Sequence, residues 1–150
     1  MEQDWIFGFV VRPEEGRFHA YAAAVPEAIA SGATHEEAVR EMGEALTASV
    51  LGRMKFGDDL SPPGPPAPDE PERFILPAAL AAKAAVYMAW KASGLSKVAL
   101  AARLDLAEKE VRRILDPDYP TGLARMEQAA RALGVALVVG TRPAPVADAA

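Results

Sequence analysis

Apolar and polar residues alternate with a period of two early in the chain and then switch to helical spacing. Trp5, Phe7, Phe9 and Val11 fall on one side of the run Trp5 to Val11, the pattern of a half-buried strand. Arg17 to Val25 alternates in the same way. Pro13-Glu14-Glu15-Gly16 between the two runs supplies turn chemistry, so the pair predicts a hairpin. Ala28 to Ser31 is suited to a third strand. From Thr34 the period lengthens. Ala38, Met42, Ala45, Leu46, Ser49 and Val50 recur at helical intervals, and the helix should end near Gly57. Thr34 and Glu37 have the spacing of a capping box at its start. One helix lying on a small antiparallel sheet buries one sheet face.

Periodicity is lost from Ser61 to Glu72, which holds six of the thirteen prolines and little to pack. This composition predicts an extended, semi-rigid linker, residues 61–73, between a first module at 1–60 and a second at 74–140. Phe74 to Leu76 is a brief extended piece, followed by a long helix from about Pro77 to Ser93 that Gly94 stops. Val98, Ala101, Ala102 and Leu104 then repeat at helical spacing, as do Val111, Ile114 and Leu115. Ser96 is a natural N-cap. Ala101 is small enough for a close helix crossing. Asp105 occupies a turn position where the backbone needs positive φ, which aspartate tolerates better than most residues. Pro117 ends the second short helix near Asp116. Gly122 to Leu133 forms a further helix closed by Gly134, and the β-branched run Val135 to Val139 is available as a short terminal strand, pairing with Phe74 to Leu76 or with another subunit. The tail 141–150 should be frayed. The whole is an α+β chain with its strands in the first module and an all-α second module.

Two short helices joined by a tight turn, with cations on the second, match the way a helix-turn-helix offers a recognition helix to the major groove. Removing the apolar positions of the second helix leaves Ala107, Glu108, Lys109, Glu110, Arg112 and Arg113 facing outward. Arginine reaches phosphates or guanine edges, since guanidinium bonds two acceptors at once. Lys97, at the start of the preceding helix, is placed to hold a phosphate. The DNA-binding candidates are therefore Lys97, Ala107, Glu108, Lys109, Arg112 and Arg113.

Charge divides along the chain in the same sense. The net charge is −5. Residues 1–60 carry five Lys and Arg against eleven Asp and Glu, while residues 77–150 carry ten against seven. A mildly basic second half suits nucleic acid, and an acidic first half favours a basic partner. With no cysteine, disulfides and thiolate metal sites are excluded, which is compatible with a cytoplasmic protein. No secretory signal is visible, and the most apolar stretch, around Pro77 to Ala92, is interrupted by Lys83 and Lys91 and reads as a buried helix with no membrane role.

Candidate chemistry is sparse. A two-metal nuclease needs carboxylates converging on paired cations. The first strand carries none; Asp4 lies at its edge, and Glu37, Glu41 and Glu44 share one side of a helix. His19 and His35 have no partner nucleophile or acid at a suitable spacing. The expectation is a non-enzymatic protein without cofactor or metal.

The chain resembles the HicB-type antitoxins of bacterial type II toxin–antitoxin systems over residues 5–139. The N-terminal likeness rests on the strand pair, on Ala24-Val25-Pro26-Glu27-Ala28-Ile29-Ala30-Ser31-Gly32-Ala33-Thr34 and on Glu36-Glu37-Ala38. The C-terminal likeness rests on Ile75-Leu76-Pro77 leading to Ala81-Ala82-Lys83, on Gly94-Leu95-Ser96-Lys97, on Glu108 to Pro117 and on Arg131-Ala132-Leu133-Gly134-Val135. The resemblance implies a partial ribonuclease H-like fold for the first module, which would bind and block a small basic (HicA-like) ribonuclease toxin. It implies a C-terminal helix-turn-helix that binds double-stranded operator DNA as a homodimer or higher oligomer and represses its own operon. Candidate toxin contacts are His19, Tyr21, Glu27, Ile29, Glu37 and Glu41. The competing expectation is a stand-alone regulator whose first module dimerises or senses a ligand.

Overall fold

In the computed structural model, which describes residues 4–144, the alternating runs become strands β1 (Ile6–Glu14), β2 (Arg17–Tyr21) and β3 (Ile29–Gly32). Helix α1 (His35–Lys55) follows, then strand β4 (Glu72–Ile75) and four helices: α2 (Ala78–Ser93), α3 (Lys97–Leu104), α4 (Glu108–Leu115) and α5 (Leu123–Ala132). The sheet is antiparallel throughout, in the order β3-β2-β1-β4. The chain is thus α+β as expected. Its contacts group into two units. The first holds residues up to Val50, Pro62–Leu76 and residues from Thr141; the second holds Leu51–Ser61 and Pro77–Gly140.

In the first unit the register explains the burial. Val11 pairs with Ala20, and Ala20 with Ala30, so these residues share a face with Phe7 and Phe9, while His19, Tyr21 and Ile29 point to the other. Phe7, Phe9 and Ala20 are all buried, and Ala38, Met42 and Leu46 of α1 are wholly inaccessible. Gly43 lets the helix close on the sheet, since a Cβ there would lie 2.8 Å from the Phe74 ring. The capping box forms with one change of partner. Glu37 N–H donates to Thr34 Oγ1 at 3.1 Å, and the Glu37 carboxylate accepts from Ala33 N–H at 2.9 Å, one residue earlier than the usual reciprocal bond. β2 stops at Tyr21, short of the expected Val25, because two tight turns follow: Val25 N–H bonds Ala22 C=O and Ala28 N–H bonds Val25 C=O.

The proline-rich stretch groups with the sheet. A Cβ on Gly8 would meet Pro66 Cβ at 2.5 Å, so Gly8 is the gap through which this segment crosses β1. Glu70 is 6% exposed, and its two carboxylate oxygens accept from Ala23 N–H and Ala67 N–H, both at 2.9 Å. Phe74 and Ile75 pair with Phe7 and Ile6 of β1. That pairing uses the extended piece expected as a partner for Val135 to Val139, and, against that expectation, Val135 to Val139 forms no strand: Val138 and Val139 are exposed, Leu137 packs on the helical core, and Val135 N–H bonds back to Ala130 C=O. Residues 145–150 of the expected frayed tail lie outside the described residues; Arg142, just before them, pairs with Asp4 at 2.7 Å.

The second unit is built on a core of Val86, Leu100, Ala101, Leu104, Val111, Ile114, Leu115, Met126, Ala129 and Ala130. Gly94 (φ 71) closes α2, and the Ser96 hydroxyl accepts from Ala99 N–H at the start of α3. Asp105 adopts the left-handed conformation (φ 53), and its N–H bonds back to the last carbonyls of α3. Val98 and Ala102 are exposed, a correction to the expected core face of α3. The reason is that Leu100, Ala101 and Leu104 fill that face when Ser96 sets the first turn. No helix among the described residues is long and apolar enough to cross a membrane.

Candidate functional site

Two surfaces carry the candidate residues, one in each unit. In the second unit, α3 and α4 are joined by residues 105–107. Burial of Val111, Ile114 and Leu115 turns the rest of α4 outward. Glu108, Lys109 and Arg112 lie on that outward side. Arg112 pairs with Glu108 at 2.8 Å, one helical turn away, and is 64% exposed. Lys109 is exposed and has no hydrogen-bond or ion-pair partner among the described residues. Ala107 is the N-cap and offers no side-chain acceptor, which leaves the first-turn amides of Glu108 and Lys109 without a side-chain cap. Arg113 is drawn away from this group: it pairs with Glu110 at 3.1 Å, and its guanidinium lies 5.0 Å from the Tyr119 ring centroid. Lys97 stands over the Trp90 ring at 5.7 Å. The structure therefore assembles Ala107, Glu108, Lys109 and Arg112, while Arg113 and Lys97 are each tied to an aromatic ring nearby.

α4 is anchored from below by a residue to which the sequence pattern assigned no contact. Lys83 of α2 is 5% exposed. Its ammonium donates to Arg113 C=O at 2.9 Å, Ile114 C=O at 3.0 Å and Thr121 Oγ1 at 2.8 Å. Burial pulls its pKa down to about 8, against the opposing pull of the Asp116 carboxylate. A cation at the carboxyl end of a helix satisfies carbonyls that have no intrahelical partner.

In the first unit the sheet face opposite α1 holds His19, Tyr21 and Ile29, with Tyr21 paired to Val10 on one side and Ile29 on the other. Ile29 is 59% exposed, an apolar side chain at the sheet's edge strand. Tyr21 Oη donates to Glu14 Oε2 at 2.9 Å, which raises the phenol's pKa by holding its proton. Beside it an open groove of about 290 Å³ is lined by Val10, Arg12, Tyr21, Ala28, Asp69 and Glu70 among others. Arg12 faces Asp69 across it at 3.6 Å. Glu27 is exposed within the turns after β2. Glu37 and Glu41 belong to α1 and so stand with the helix layer, apart from His19, Tyr21 and Ile29; the Glu37 carboxylate is spent on its cap. His35 lies edge-on to Phe18, with Nε2 3.2 Å from Glu72. Sequence reading did not single out the groove residue Arg12, although period two would have set it on the face of Val10. Asp69 and Glu70 were not legible, because nothing in a proline-rich stretch marks which acid turns inward. Among the described residues, no three His, Asp or Glu side chains converge as metal ligands would.

No family model matches the chain. It is similar to a protein named Antitoxin HicB from Pseudomonas fluorescens, 30% identical over 141 residues that cover 92% of this chain and 94% of that one. It is also similar to Antitoxin HicB 1 of Photorhabdus laumondii subsp. laumondii, 29% identical over 121 residues, 81% of this chain and 76% of the relative.

Proposed function

Since the chain belongs to the HicB antitoxin family, we propose that it is the antitoxin of a toxin–antitoxin pair, that its sheet unit captures a small basic ribonuclease, and that its helical unit binds the operator of its own operon. The observation that carries the DNA half is the outward side of α4, where Lys109 is free, Arg112 is held by a single exposed pair, and the first-turn amides of Glu108 and Lys109 have no side-chain cap. Phosphates are attracted by such amides and by the unpaired ammonium, and the Arg112 guanidinium can exchange Glu108 for a guanine edge. Glu108 is positioned to accept from a cytosine amine. One copy of so small a reading head gives limited affinity, so two copies on a two-fold operator are expected.

For the toxin half, the acidic composition of the first sixty residues favours a cationic partner, and His19, Tyr21 and Ile29 present a mixed aromatic, apolar and polar face for it. Inhibition is by covering the toxin's RNA-binding surface and requires no bond to be made or broken. The names of the relatives weigh against a stand-alone regulator.

Co-expression with the product of the neighbouring small basic reading frame, followed by pull-down and a ribonuclease assay, tests the first half. A stable, inactive complex is expected; an active ribonuclease in the presence of excess chain would overturn it. Duplex DNA from upstream of the coding sequence, titrated against a scrambled duplex, tests the second. Equal affinity for both would remove operator recognition.

A further inference from the structure

Most of the second unit's charge is at its surface, but one cation is enclosed. Lys83 is the only buried Lys or Arg among the described residues. All three of its protons are directed, two at the final turn of α4 and one at Thr121 in the loop that leaves it. Lys55 also pairs with Asp118 in that loop at 2.7 Å, but at the surface, with both side chains about half exposed, where an ion pair contributes little. The Asp116 N–H returns to Arg113 C=O of the same helix, its other bonds stay within the turn 116–119, and α4 contains just eight residues, too few for its own hydrogen bonds to fix its direction. The apolar contacts of Val111, Ile114 and Leu115 are non-directional and tolerate rotation of the helix about its axis. Hydrogen bonds to two successive carbonyls do not.

We propose that Lys83 is a positioning residue for DNA recognition, fixing the rotation and tilt at which α4 presents Glu108, Lys109 and Arg112. The inference rests on the DNA-binding reading above. Lys83 touches no DNA itself; it acts through the carbonyl end of α4. Its loss should therefore lower discrimination between operator and scrambled DNA more than it lowers non-specific affinity, because phosphate attraction survives a small misalignment and base contacts do not.

The absence of cysteine from the chain allows a test that changes charge and keeps shape. Lys83→Cys in the full chain is alkylated in urea with 2-bromoethylamine, giving an S-aminoethyl side chain, or with 1-bromopropane, giving its neutral S-propyl counterpart, and both are refolded. The aminoethyl form should match wild type within about twofold in operator affinity and in the operator-to-scrambled ratio. The propyl form should lose about tenfold of that ratio while keeping the slope of affinity against salt. Amide exchange without DNA should accelerate in residues 108–115 of the propyl form and stay unchanged in α2 and α5. Equal ratios and equal exchange in the two forms would overturn the proposal. If the propyl form does not refold, Thr121→Ala, which removes one of the three acceptors, decides: a ratio reduced about threefold supports positioning, and an unchanged ratio with unchanged exchange overturns it. Failure of wild type itself to prefer its upstream DNA would instead overturn the DNA-binding reading, and the exchange comparison would still report on Lys83.

Discussion

Asp105 holds a left-handed backbone at the turn between α3 and α4, a conformation whose cost for residues with a Cβ is about 1–2 kcal/mol and is least for Asp and Asn. Its side chain makes no bond of its own among the described residues, and only its N–H caps α3. Asp105→Gly keeps that cap and removes the strain, so it should stabilise the second unit by about 0.5 kcal/mol after the added freedom of the unfolded chain is offset. Urea denaturation followed by Trp90 fluorescence in a Trp5→Phe background checks this; a lower midpoint would contradict it. This residue was legible in the sequence because only a turn residue makes sense between two short helices. Lys83 was not, because an isolated lysine in an apolar run gives no sign of what it meets. Its pH behaviour follows from burial. The native ammonium, with a pKa of about 8, gives up its proton more readily than the same group in the unfolded chain, at 10.5. Below about pH 8 both states are protonated and the cost of burying the charge is fully present. Between pH 8 and 10.5 the unfolded state binds more protons, so stability contributed at this site rises with pH. The charged group acting on it is Asp116, which opposes the downward shift; Arg113 meets it through its carbonyl, with the guanidinium turned to Glu110 and Tyr119. The stability of wild type relative to Lys83→Met should thus increase from pH 7.5 to 9.5 in parallel urea titrations. A flat or falling difference would show that the ammonium is not desolvated.

At the scale of elements, periodicity located β1, β2, β3 and all five helices within a few residues, because each buries one face at its own period, although in α3 it set the exposed Val98 and Ala102 on the core side. What periodicity missed is the role of Pro62–Leu76. Prolines cannot donate to a ladder, so the stretch has no regular pattern even though it groups with the sheet. Ahead of the β4 ladder it is tied down by Glu70, whose carboxylate satisfies two backbone amides that are 44 residues apart in sequence, Ala23 and Ala67. Glu70→Ala leaves both donors without a partner and should destabilise the first unit by about 2–4 kcal/mol. Glu70→Gln, which retains one carbonyl oxygen, should fall between. Trp5 fluorescence in a Trp90→Phe background during urea unfolding measures both. If Glu70→Ala shifts the midpoint no more than a surface substitution such as Glu36→Ala, the segment is held by the β4 ladder and its prolines without help from Glu70. The toxin-face candidates show the same limit. Alternation put His19 and Tyr21 on one face of the second strand, but it assigned Ile29 no face, and helical spacing could not tell that Glu37 and Glu41 stand on the other side of the sheet.

Over the whole molecule, the division of charge was the clearest signal in the sequence, since acidic residues outnumber basic ones in the first sixty positions and the balance reverses after residue 77. Charge alone does not name partners; it predicts that substitutions in one unit should leave the other unit's binding intact. Ile29→Arg removes an exposed apolar side chain from the proposed toxin face and adds a cation against a cationic partner. It should weaken toxin capture at least tenfold and leave operator affinity within twofold. Lys109→Ala should do the reverse. Because Lys109 has no partner to release, its loss should lower DNA affinity for operator and scrambled duplexes alike and reduce the salt slope by about one, as expected for a single phosphate contact. Arg112→Ala differs in kind: it frees Glu108 and removes a base-reading group, so operator affinity should drop by more than scrambled affinity. Ribonuclease inhibition and fluorescence anisotropy on the same three preparations separate these outcomes. If Ile29→Arg and Lys109→Ala each impair both activities, the two surfaces are one, and the assignment of a separate macromolecule to each unit fails.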